Sequence, residues 1–389
     1  MNRATTEHLA LLFLEAKWLY NFIISQGSPA WLDYKEVQEV PVRVKDHFET
    51  RRIAHLSSQM RQSIITRTLD NMRGLAHLKA NGHKTGRVRF KSEVRSIPLK
   101  QYGNTYRILD GKRVGIQGIK QRLRVRGLRQ LPHGVDLANG TLMRRGGDYY
   151  LSLTTYEGRE SLETGDLCLG IDFGLDKQIT LSNGIEVQYS IPVDERFRRL
   201  HRRLSRQKPH GKNSEKTRMR LDRMYSMSSN MKRDIRNKIV SHLGDVYGVV
   251  CYQDENLKAW QRIWGRKMLC TSIGGIISTL QRKVRTPVEV DRFYPSTKTC
   301  SFCGSIKEVS LGERVYACRR CGAVIGRDLN SSINMRGEGL RRIGMVRAES
   351  TPAETEAATL ASLEYLNSIP RVRASLVHEP GSQPPSRSW

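Results

Sequence analysis

The sequence predicts a multidomain α+β protein on three observations: a helical first quarter, a second quarter of short alternating strands, and a strand meander from Leu167 that leads into basic helices and two cysteine pairs. At 389 residues, 38% apolar and 27% charged, the chain is long enough for two or three domains with sizeable cores. Its 66 Lys and Arg against 38 Asp and Glu leave a formal charge of +28. Such an excess repels itself in a compact chain unless a polyanion offsets it, so nucleic acid is the expected partner. Glu7 and Glu15 interrupt the apolar residues near the N-terminus, and no run approaches the roughly 18 apolar residues needed to span a bilayer. The expectation is a soluble protein, with no membrane partner and no export signal.

Over residues 6–26, Leu9, Leu12, Leu14, Trp18, Leu19 and Phe22 recur at helical spacing, and a second long helix is expected over 51–78, giving a helical region 1–82. Between 83 and 165 the pattern changes to Arg87-Val88-Arg89-Phe90, Arg122-Leu123-Arg124-Val125 and Tyr149-Tyr150-Leu151-Ser152-Leu153, alternating segments parted by glycine-rich turns. This predicts an antiparallel β-barrel or sandwich whose Arg and Lys face either phosphates or solvent.

The third region, 166–295, opens with the buried-looking strand Leu167-Cys168-Leu169-Gly170-Ile171-Asp172-Phe173. Strands over 178–182 and near 185–187 follow. Phe197, Leu200 and Leu204 mark one face of a helix carrying Arg198, Arg199, Arg202, Arg203 and Arg206. After Pro209-His210-Gly211 a second helix carries Met231, Ile235, Ile239 and Leu243. Both helices are strongly basic, which fits nucleic-acid contact. A strand over 247–252, a helix over 273–285 and a strand over 287–293 lead to the cysteines. The segment 346–389 is Ser-, Glu- and Pro-rich and is expected to be a partly disordered tail with one helix near 354–366.

Cys300-x-x-Cys303 and Cys318-x-x-Cys321 enclose fourteen residues, with Gly304 and Gly322 directly after each pair to permit tight turns. Two such knuckles offer four thiolates to one tetrahedral Zn²⁺, and a zinc ribbon is expected over 296–324. With four sulfur ligands no position remains for water, so this zinc holds shape and does not catalyse. The other cysteines, Cys168, Cys251 and Cys270, sit singly in apolar surroundings, which favours a reducing compartment.

Asp172, Glu255 and Asp328 stand at or just past the ends of segments that read as buried strands or helix starts. Each alone reads as well as a cap or a salt-bridge partner. Together they suit a site in which carboxylates from separate elements hold two Mg²⁺ (or Mn²⁺) ions against a phosphodiester.

Three motifs carry a resemblance. Gly170-Ile171-Asp172-Phe173-Gly174-Leu175 with Ile179-Thr180-Leu181-Ser182-Asn183-Gly184 resembles the first RuvC motif of TnpB proteins, the transposon-associated RNA-guided endonucleases. Asp254-Glu255-Asn256-Leu257-Lys258 through Trp260 is similar to the second, and Arg327-Asp328-Leu329-Asn330-Ser331-Ser332-Ile333-Asn334-Met335 (region 325–345) to the third. Tyr294-Pro295-Ser296-Thr297-Lys298-Thr299-Cys300 matches the lead-in to that family's zinc ribbon, inserted between the second and third motifs. The resemblance is close over about residues 167–335. The N-terminal half is similar to the family's recognition helices and wedge barrel in general pattern only.

The resemblance implies an RNase H-like RuvC nuclease domain with Asp172, Glu255 and Asp328 as metal-binding catalytic carboxylates. It also implies a guide RNA, a target DNA beside a short adjacent motif, and a cytoplasmic prokaryotic protein that joins the nucleoid when bound to DNA. The second motif can also be aligned on Gln253, with Asp254 a further rival to Glu255. Gly326 replaces an acidic residue common in the third motif, and Ser331-Ser332 replaces a small apolar pair. A compact type V CRISPR effector shares every motif. A nuclease-dead RNA-guided repressor requires that Glu255 not be the second carboxylate, and an RNase H-like transposase fits the ribbon's position poorly.

Overall fold

The computed structural model describes residues 3–27, 37–156, 167–189, 191, 195–209, 211–310, 312–345 and 351–377. They fall into two units, Met1–Glu160 and Ser161–Trp389. No helix among them is long and apolar enough to cross a membrane.

In the first unit α1 (Arg3–Ser25) buries Leu9, Leu12, Phe13, Ala16, Leu19 and Ile23 along one stripe. The chain then forms a hairpin, β1 (Glu39–Val44) and β2 (His47–Arg52), inside the region expected to be helical. The second helix, α2 (Ser58–Ala80), accordingly starts later than residue 51. Its entry is fixed by buried Glu15, whose carboxylate accepts the N–H groups of Ala54, His55 and Leu56 at 3.0, 2.8 and 2.9 Å. Ser57 then caps the helix by accepting from Met60 N.

The expected strand 87–90 is corrected to irregular chain, because side chains of α1 take up backbone groups here that a ladder would otherwise use. Tyr20 donates to Arg89 O, and Asn21 bonds both the N–H and the C=O of Lys91. The other segments give β3 (Ser96–Leu99), β4 (Tyr106–Asp110), β5 (Arg113–Ile116), β6 (Leu123–Arg124), β7 (Asp136–Arg145) and β8 (Asp148–Tyr156). They pair as two antiparallel three-stranded sheets, β3-β7-β8 and β4-β5-β6. Among the described residues no ladder closes them into a barrel; β6, two residues long, is too short to carry one round. Ile23, Ile64, Val40, Ile97, Tyr106, Val114 and Leu142 belong to one core, so regions 1–82 and 83–165 share it.

In the second unit β9 (Cys168–Phe173), β10 (Ile179–Leu181) and β11 (Ile185–Tyr189) form the meander. A basic helical pair follows, α3 (Glu195–Ser205) and the 35-residue α4 (Lys212–Val246). Then come β12 (Val249–Gln253), α5 (Leu257–Thr271), α6 (Ile273–Lys283) and β13 (Thr286–Val290). The chain continues with β14 (Val315–Ala317), β15 (Val324–Gly326), α7 (Arg327–Arg342), α8 (Pro352–Ser368) and β16 (Val372–Leu376). One six-stranded sheet has the order β13-β12-β9-β10-β11-β16. Strand β12 runs parallel to both β9 and β13, whereas β10, β11 and β16 are antiparallel additions. This is an RNase H-like sheet.

The central strands bury both faces, as parallel strands covered by helices do. Leu169, Ile171, Val250 and Tyr252 join Ile235, Ile239, Leu243, Ile276 and Leu280 of α4 and α6. Cys168, Val249 and Cys251 face the other way, toward Leu340 of α7. By the two-residue alternation of a strand, Asp172 shares the α7 face with Cys168 and Gly170.

Within the segment expected to be a tail, the helix expected near 354–366 is α8, and residues 372–376, not expected to be ordered, form the sixth strand. A Thr351–Glu354 capping box with Pro352 inside starts α8, and Leu366, Ile369 and Val372 enter the sheet's core. The tail expected over 378–389 lies outside the described residues.

Candidate catalytic carboxylates and cysteine metal centre

Asp172 lies near the carboxyl end of β9, Glu255 two residues past the carboxyl end of the neighbouring parallel strand β12, and Asp328 in the first turn of α7. Carboxyl ends of parallel strands are where open α/β sheets place ligands. The helix dipole favours Asp328 where it stands. Burial pushes the Asp172 carboxyl up to about 8, with the negative charges of Asp328 and Glu255 adding to it and the Ser331 hydroxyl opposing. Burial, then Asp254, pushes Glu255 up to about 7. Asp172 thus feels acids from two other elements, with the Arg327 guanidinium opposing them.

The three residues that competed for the second position have separate roles. Gln253 spends its amide on the carbonyls of Asp291, Arg292 and Tyr294 at 3.0, 3.1 and 2.9 Å, holding the loop after β13. Asp254 pairs with Arg292 at 2.5 Å. Glu255 is the residue whose charge reaches Asp172. Asp328 contacts the guanidinium of its neighbour Arg327 at 3.0 Å.

Residues the sequence did not single out as functional surround this group. Ser331 Oγ donates to Asp172 Oδ1 at 2.8 Å and lies 3.1 Å from Ser296 Oγ. Asn330 and Asn334, one turn apart on α7, tie down the ribbon's lead-in. Asn330 donates to Thr299 O and accepts from Ser301 N, and Asn334 donates to Ser296 O and Thr299 O. Their spacing of four on one helix face is the one signal a sequence carries for this.

The cysteine pairs fold into two matching knuckles. Gly304 N donates to Cys300 O and Gly322 N to Cys318 O, with both glycines at positive φ (72° and 73°), where a side chain would be strained. The four sulfurs lie within 4.8 Å of one another, with Cys300–Cys321 and Cys303–Cys318 at 3.7 and 3.6 Å. A tetrahedron of about 2.3 Å metal–sulfur bonds has edges of about 3.8 Å, so these residues fit one metal ion. Among the described residues no carboxylate set draws together as tightly. The Ser305 hydroxyl, with backbone N–H groups of the knuckle, holds the Cys318 thiol down at about 5. The ribbon has its own small core of Cys300, Tyr316, Cys318, Ile325 and Leu329.

Fold and site together define a multidomain α+β protein built on an RNase H-like sheet, with a four-cysteine ribbon entering before the last acidic helix. The family described as "Probable transposase" matches residues 152–260, and "Cas12f1-like, TNB domain" matches residues 276–335. A "Putative RNA-guided DNA endonuclease" of Streptomyces pristinaespiralis is 25% identical over 268 residues, covering 65% of each chain. "TnpB-like protein L79" of Acanthamoeba polyphaga mimivirus is 25% identical over 194 residues, 44% of this chain and 37% of that one. The chain thus spans less than two thirds of the length of either relative. A Cas12f1–sgRNA–target DNA complex superposes with a TM-score of 0.48 at 14% identity, covering 86% of this chain and 83% of that one. The chain is thus similar to TnpB-like proteins and RNA-guided DNA endonucleases over these segments.

Proposed function

We propose that the chain is an RNA-guided DNA endonuclease that hydrolyses phosphodiesters with Asp172, Glu255 and Asp328 as ligands of two divalent cations, Mg²⁺ or Mn²⁺. The observation that carries this reading is the convergence of two acids from other elements on Asp172, which is raised by burial and then by Asp328 and Glu255. Half-buried carboxylates that oppose one another persist where a cation meets them, and an all-oxygen set suits a hard one. Bound there, such ions stabilise the charge that develops on the attacking and leaving oxygens. The chain's own part is to hold Asp172 on the α7 face of β9, Glu255 past β12 and Asp328 at the start of α7, and to seat the backbone by its positive charge.

In this reading the four cysteines hold a structural Zn²⁺, because their sulfurs leave no open position. Guide RNA pairing supplies sequence, which agrees with a protein rich in charge and poor in base-reading features. The test is to purify the protein from cells carrying its neighbouring locus, sequence the bound RNA, and assay matching DNA with Mg²⁺ beside Asp172→Ala. RNA that co-purifies and cutting that Asp172→Ala abolishes are the expected results. Absence of RNA, or a variant that cuts like wild type, overturns the reading.

A further inference from the structure

Ser331 and Ser332 are neighbours on α7 and both fully buried, at 0% exposure, yet their hydroxyls do different things. Ser332 donates to Leu329 O, a bond within its own helix. Ser331 leaves the helix and meets Asp172 at 2.8 Å and Ser296 at 3.1 Å. An ionised carboxylate only accepts, so the single Ser331 proton goes to Asp172, and the one Ser296 proton is shared between Ser331 Oγ and Gln253 Oε1. Ser296 is 3% exposed and lies 3.3 Å from Gln253 Oε1, while its carbonyl is gripped by Asn334.

We propose that Ser331 is a positioning residue for Asp172, and that Ser296, at the lead-in to the cysteine ribbon, positions Ser331. This rests on the reading of Asp172 as a cation ligand. The hydroxyl fixes Oδ1, which sets the carboxylate's rotamer against the repulsion of Asp328 and Glu255. Carboxylate ligands are commonly held this way, and loss of such a partner weakens metal binding by about 10- to 100-fold. Ser296 joins the chain from a different element. The buried relay therefore links β9, α7 and the ribbon's entry.

The test uses the full-length protein, with its RNA where that co-purifies, and Mn²⁺ as the probe, counting free Mn²⁺ by electron paramagnetic resonance. A Mg²⁺ titration of cutting accompanies it. Ser331→Ala is expected to raise the Mn²⁺ dissociation constant by about ten-fold and to shift the Mg²⁺ midpoint of cutting likewise. Ser296→Ala should shift both in the same direction by less, and Ser332→Ala by nothing. Because Ser296 lies outside the helix, its variant carries the test even if Ser331→Ala does not fold. Wild-type Mn²⁺ affinity in the Ser331 and Ser296 variants overturns the relay, as does an equal shift in Ser332→Ala. If wild type binds no more Mn²⁺ than Asp172→Ala, the cation site itself is lost, and the relay with it.

Discussion

Gly170 of β9 sits directly beneath Ser332 of α7, so close that a Cβ on Gly170 would collide with the Ser332 carbonyl and stand 2.7 Å from Arg336 N. Both obstacles are backbone and cannot swing aside. Gly170→Ala is therefore expected to lower the stability of the second unit by about 3 kcal/mol in denaturant unfolding. It should also reduce cutting by about 10²-fold or more, because lifting α7 displaces Asp328 from Asp172. A wild-type transition would mean that α7 does not rest on β9.

Asp172→Asn tests the charge on this site. A carboxyl held at about 8 instead of its ordinary 3.8 favours the fold at low pH, and that contribution fades as pH rises through 8. Metal-free wild type should thus melt at lower temperature at pH 8.5 than at pH 6. Asp172→Asn should flatten that slope and melt higher than wild type at pH 8.5, while cutting is expected to be lost. Glu255, raised to about 7, keeps part of the slope. Added Mg²⁺ should raise the wild-type transition and leave the variant's unchanged, as differential scanning calorimetry can read.

Cys300→Ser removes one of four ligands and a core residue of the ribbon that is 1% exposed. Zinc content by mass spectrometry should fall from one atom per chain to near none. Cutting should fall with it, because Asn330 and Asn334 would grip a lead-in that no longer has a fixed shape. A variant that keeps stoichiometric zinc would refute the four-sulfur site.

Arg199, Arg202 and Arg203 of α3, with Arg206 and Gln207 just past its end, line a recess of about 400 Å³. Phe197 packs edge-on against Tyr225, setting this helix against α4. Replacing Arg199 and Arg203 with alanine should weaken RNA binding about equally for all sequences. The slope of log affinity against log salt should drop by about one per lost phosphate contact. An unchanged slope would mark the cluster as a solvated face.

What the sequence could reveal follows the range of the interaction. The knuckles need only Cys-x-x-Cys and a following glycine, and the capping box of α8 only Thr351 and Glu354, so both are readable within a few residues. The β9–β11 meander is readable because Leu169, Ile171 and Phe173 alternate against a covered face. The choice among Gln253, Asp254 and Glu255 is not, for it depends on a loop some 40 residues downstream. Ser331 touches Asp172 across 159 residues of chain, and no local pattern encodes that. The hairpin 39–52 was hidden by its polarity: eleven of its twelve strand residues are at least partly exposed, leaving Val40 as its fully buried anchor. Strand β16 has a similar edge-strand look, and only its pairing with β11 reveals it.

That last strand also orders events in time. Val372–Leu376 is made after every other strand of the sheet it completes, so a nascent chain carries an unpaired β11 until the ribosome has delivered about 190 further residues, which at roughly 5–20 residues per second is some ten to forty seconds. Through that interval the edge of β11 is open to pairing with any extended peptide.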